Sequence, residues 1–91
     1  MDVHEEYFRS LTQAEVQLLA LREVLYDASW EEMIRDLEAR RDGRPFVFKL
    51  RNRIDEDLER IRKLSVYERE HNTHLGKYVS QAALTGGQPE G

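Results

Sequence analysis

From Pro45 to about Ala83, apolar residues recur at helical spacing without a break. Val47, Leu50, Ile54, Leu58, Ile61 and Leu64 lead to Leu75, Tyr78 and Ala82 in steps of three or four, provided Glu68 and His71 fill the gap. Such steps place all of them on one helical face. A helix of about 38 residues is about 57 Å long, more than the remaining elements of a 91-residue chain can flank. Pairing of Leu64, Leu75, Tyr78 and Val79 with a second copy would cover the surplus, so the pattern predicts a coiled-coil-like homodimer.

The segments before it read as two further helices. Tyr7, Leu11, Ala14, Leu18, Leu21, Leu25 and Ala28 form a seam, with Val16, Leu19 and Val24 as a second row, which predicts one helix over 3–27. Thr12 and Glu15 have capping-box spacing, with Leu11 and Val16 at the staple positions, so a break near Ser10–Thr12 is the alternative. Ser29 and Glu32 open a second helix over 29–42, whose Trp30, Met33, Ile34 and Leu37 share one side. Gly43 suits the left-handed position that closes it. Phe46-Val47-Phe48-Lys49-Leu50 alternates like a strand, but a lone strand has nothing to pair with. Pro45 therefore reads as the first residue of a third helix over 45–83, with Asn72 and Gly76 as its weak points. Residues 1–84 form a single helical domain in this reading, and 85–91, which contain no apolar residue, a disordered tail.

The chain has no cysteine, which removes disulfides, thiol catalysis and thiolate metal sites. Its start is acidic and without an apolar core, so no signal peptide is expected. The longest apolar run, Leu18-Leu19-Ala20-Leu21, is far short of a membrane span. A cytoplasmic protein with no membrane partner is the expectation. There is no glycine-rich phosphate loop and no spacing that singles out a catalytic triad, so no enzymatic activity and no cofactor are expected.

Charge is distributed unevenly. Residues 1–39 hold ten acids against Arg9, Arg22 and Arg35, a balance of −7, whereas Arg40, Arg41, Arg44, Lys49, Arg51 and Arg53 face only Asp42 over residues 40–53, a balance of +5. This basic elbow could take phosphate, nucleic acid or an acidic protein surface. Because the whole chain is acidic, at −4, pairing of these arginines with the chain's own acids is the favoured reading, and nucleic acid the less favoured partner.

Glu68 and His71 lie three residues apart on the apolar seam. The spacing resembles the Glu-x-x-His of ferritin-like carboxylate bundles over those four residues alone, and Glu15 is the one further carboxylate that the first helix aims inward. The resemblance implies metal binding through Glu68, His71 and Glu15. The competing reading, which is preferred, is that no metal binds and that Glu68 and His71 bond to each other or to Arg22 across a helix interface. The sequence thus describes an all-α, three-helix bundle dimer acting as a non-enzymatic scaffold, adaptor or regulatory subunit through contacts with itself or another protein. The alternatives are a nucleic-acid-associated regulator using residues 40–53 and a carboxylate/His metal-binding bundle.

Overall fold

The computed structural model describes residues 2–79, and these contain helices and turns only. Four helices are α1 (Val3–Arg9), α2 (Gln13–Leu25), α3 (Trp30–Gly43) and α4 (Phe48–His71). A fifth helical segment begins at Gly76 and runs to the end of the described residues, 76–79. Ala82, Ala83 and the expected tail over 85–91 lie outside the described residues.

The continuous helix expected over 3–27 is two helices, because the capping box wins over the seam. Thr12 is extended (φ −72°, ψ 162°); its hydroxyl accepts from the Glu15 amide at 3.2 Å, while its own N–H donates to the Glu15 carboxylate at 2.8 Å. Two donors that a helix start leaves orphaned are thereby satisfied locally. Asp2 caps α1 in the same manner, accepting from the Glu5 amide at 2.8 Å. α2 ends where Asp27 (φ 51°) and Ala28 (φ 61°) both enter the left-handed region, with the Ala28 amide donating back to the Arg22 carbonyl at 3.0 Å.

α3 matches its expected span closely, with the Ser29 hydroxyl accepting from the Glu32 amide at 3.2 Å. Gly43 is the last residue of α3 and has no positive φ, so it does not close the helix in the expected left-handed conformation. The third expected helix is shorter at both ends than 45–83. α4 has 24 residues, from Phe48 to His71, about 36 Å. Pro45 sits in the preceding turn, which is fastened by the Val47 amide on the Arg44 carbonyl at 3.1 Å. At the far end Asn72 takes φ 48°, and the Thr73 amide donates to the Glu68 carbonyl at 3.1 Å. That left-handed residue with its six-residue return bond is a Schellman stop. It turns the chain back on itself.

α3 and α4 form an antiparallel hairpin, with Trp30 reaching Glu68 at one end and Arg41 reaching Asp55 toward the other. α2 packs across the hairpin and α1 over the C-terminal half of α4, where Tyr7 stacks on Tyr67 with ring centroids 3.7 Å apart. Leu18, Met33 and Ile61 form one core cluster, and Phe8, Leu19, Leu64, Leu75 and Tyr78 the other; Trp30 packs against both.

Leu64, Leu75 and Tyr78 therefore lie in the chain's own core, with Val79 half-buried against it. The length mismatch that predicted pairing of Leu64–Ala83 with a second copy disappears with the Asn72 turn, because residues 73–79 supply the cover.

Candidate functional site

The chemistry concentrates where α2, α3, α4 and the returning segment meet. Arg22 projects from the inner side of α2 and is 1% exposed. Its Nη1 and Nη2 donate to the two Glu68 carboxylate oxygens at 2.7 and 3.0 Å, and its Nε donates to Glu23 Oε2 at 2.8 Å. The guanidinium also lies 4.2 Å from the centroid of the Trp30 ring, within cation–π range. Glu68 receives two further donors, the Trp30 indole N–H at 2.8 Å and the Leu75 amide at 2.8 Å. A bidentate arginine plus two neutral donors fills the carboxylate's acceptor capacity.

Glu23 links this cluster to the returning segment. Its Oε1 lies 2.9 Å from His74 Nε2, which is also 3.2 Å from Arg22 Nη2. When Nε2 carries the proton it donates to Glu23, and the arginine contact is then only a close approach. Burial pushes the Glu23 carboxyl up, but His74 and Arg22 outweigh it and hold it below the ordinary glutamate value. The same carboxyl sits against Gly76, where an added Cβ would overlap Glu23 Cδ and both its oxygens. Gly76 is thus required by close packing rather than by its backbone angles.

The three residues that the Glu-x-x-His spacing nominated are engaged separately. Glu15 is buried but pairs with Lys63 Nζ at 2.6 Å besides capping Thr12. Burial raises its carboxyl, and the Lys63 and Thr12 donors lower it further than burial raises it. Lys63 is raised in turn, chiefly by its bond to Glu15. Glu68 belongs to the arginine cluster. His71 is exposed at the end of α4, its ring tilted over Tyr67 at 4.2 Å and edge-on to His4 at 5.6 Å. Among the described residues no three His, Asp or Glu side chains converge in a group that could hold a metal.

The basic elbow is divided between paired and unpaired cations. Arg41 bonds Asp42 at 3.1 Å and Asp55 at 2.9 Å, and Arg40 lies 3.3 Å from Asp36. Arg51 donates to the Pro45 carbonyl at 3.3 Å. Arg44, Lys49 and Arg53 are exposed and make no ion pair among the described residues.

Sequence reasoning missed two apolar surfaces. Leu21, Val24 and Leu25, assigned to buried rows, face outward from α2, and Val24 is 78% exposed. Phe46, Val47 and Phe48 cap the tip of the α3–α4 hairpin, with Phe46 86% and Phe48 64% exposed. The signal for the second was present: three consecutive apolar residues between Pro45 and Lys49 cannot all turn to one side of a helix that has barely begun. No protein-family model, curated protein or solved structure matches this chain.

Proposed function

We propose that the protein is a non-enzymatic helical interaction module, a scaffold, adaptor or regulatory subunit acting through protein–protein contacts on the outer face of α2. The observation that carries this reading is the stripe of Leu21, Val24 and Leu25, at i, i+3 and i+4, left exposed on a helix whose buried side carries Leu18, Leu19 and Arg22. A stripe with that spacing is the face a partner helix takes up. The buried charges support the reading indirectly. Arg22, Glu23 and Glu68 spend their polar groups on one another and on Trp30, His74 and Leu75, which fits holding a surface in place.

A second copy of the chain is the simplest occupant. Two α2 stripes related by a two-fold axis would each cover the other, which moves the expected homodimer from residues 64–79 to α2. Val24→Glu places a charge in the middle of such a contact at a residue that contributes little to the core. Light scattering and co-purification of the tagged protein with Val24→Glu alongside wild type test the reading. Association is expected to be lost in the variant with its helicity unchanged; association that survives would overturn the α2 assignment.

A further inference from the structure

The tip of the α3–α4 hairpin carries a second surface, of different character from α2. Phe46, Val47 and Phe48 protrude there in succession, and the residues that flank them are Arg44 on one side and Lys49, Arg51 and Arg53 on the other. The acids nearest in sequence, Asp42 and Asp55, are both occupied by Arg41. The tip is a built turn. The Val47 amide bonds the Arg44 carbonyl, Arg51 bonds the Pro45 carbonyl, and the Arg51 guanidinium lies 6.0 Å from the Phe48 ring.

We infer that this tip docks on an anionic lipid leaflet, with Phe46, Val47 and Phe48 entering the interface and Arg44 and Lys49 resting on its headgroups. Three properties favour a bilayer over other anionic partners. The apolar residues are convex and consecutive, so a protein partner would need a matching pocket, whereas a fluid interface opens around them. Nucleic acid would meet the basic residues equally well but offers the Val47 side chain nothing, and strand-binding proteins use a groove rather than a knuckle.

The third property is the local excess of positive charge. Residues 44–53 hold Arg44, Lys49, Arg51 and Arg53 and no acid, whereas the far end of α4, about 29 Å away at Tyr67, sets Asp2, Glu5 and Glu6 of α1 against Arg62, Lys63 and Arg69. The tip would therefore lead toward a negative surface. No helix among the described residues is long and apolar enough to cross a membrane, and surface docking needs none.

Each cation held near an anionic leaflet raises partitioning about fivefold, and burial of a phenylalanine by more than about tenfold. The test is co-sedimentation of the full chain with phosphatidylcholine vesicles with and without phosphatidylserine, for wild type, Phe46→Ser/Phe48→Ser and Arg44→Glu/Lys49→Glu. All four positions are exposed, and circular dichroism confirms that the helices persist. Wild type is expected to bind only the vesicles that contain phosphatidylserine, with binding falling more than about tenfold in either double variant. Three results would overturn the proposal: no binding to anionic vesicles at low salt, binding indifferent to the phenylalanines, or binding of the same residues to RNA or DNA at physiological salt with none to vesicles.

Discussion

Arg22 and Glu68, 46 positions apart in the chain, meet as a bidentate ion pair at 2.7 and 3.0 Å in the one place where α2, α3, α4 and the returning segment converge. The pair does not stand alone. Trp30 from α3 and the Leu75 amide from the return complete the Glu68 shell, so one carboxylate reads the position of four parts of the chain. Removing Arg22 leaves the Glu68 carboxylate without its counter-charge, a cost of about 3–5 kcal/mol, whereas removing Glu68 leaves Arg22 its bond to Glu23 and costs less. A domain of this size holds only about 4–12 kcal/mol in total.

Arg22→Met should therefore lower unfolding free energy by about 3–5 kcal/mol and Glu68→Leu by less, measured by urea titration. The double variant should lose less than the sum of the two, since the Arg22 and Glu68 charges leave together, although Glu23 then keeps only His74 and the Trp30 and Leu75 N–H groups lose their acceptor. Additive losses would mean that the pair is not coupled as the geometry requires.

Ala28 offers a change in the opposite direction. A β-carbon at φ 61° is strained by about 1–2 kcal/mol, and the preceding Asp27 at φ 51° tolerates the region better because its side chain can bond locally. Ala28→Gly should raise stability by about 1 kcal/mol and the melting temperature by roughly 4–8 °C. A lower melting temperature would show that the α2–α3 turn is not left-handed at that residue.

Gly76 should admit no side chain while Glu23 is held. Gly76→Ala pushes a β-carbon into a carboxyl fixed by Arg22 and His74, and a loss of about 1–3 kcal/mol is expected. Glu23→Ala frees the space, so the double variant should lose less than the sum of the two single variants. Thermal melts of the three variants check this.

The carboxylates set an acid limit. Glu15 and Glu23 titrate below the ordinary glutamate value of 4.5 when folded, so their contribution is complete above about that pH and is lost as pH falls through their folded values. Lys63 is raised above 10.5, and its contribution, complete below that value, is lost as pH rises through its folded value. Stability should thus be level between these limits as far as the three groups decide it, and Glu15→Gln should flatten the acid limb of a pH-dependent denaturation series.

Local chemistry was legible in the sequence where it was self-contained. Ser29 caps α3 within three residues of itself, as does Thr12 at the alternative break, and the Trp30/Met33/Ile34/Leu37 side of α3 faces inward as its spacing implies. The failures share a cause, which is that apolar periodicity alone cannot report the one residue that breaks a helix, extended at Thr12 and left-handed at Asn72. The seam through Leu64, Glu68, His71 and Leu75 continues in register across Asn72, yet Asn72 at φ 48° ends α4 and sends Leu75 back to the same core. Periodicity also named the partner of Glu68 only as one option. Arg22 became the certain one when the crossing of α2 over α4 brought the two together, and His71, on the same seam, came out exposed. The outward turn of Leu21 and Leu25 depends on that crossing too.

The claim that α2 presents an interaction face is tested most directly by the mass of the protein in solution. Light scattering of wild type across the micromolar range, with Val24→Glu measured in parallel, compares the stripe intact with the stripe charged. The wild-type mass is expected to rise with concentration above the 10.8 kDa of one chain, and the variant to stay at one chain with the same helicity. A wild type that remains a single 10.8 kDa species throughout, or a variant that associates as wild type does, would contradict it.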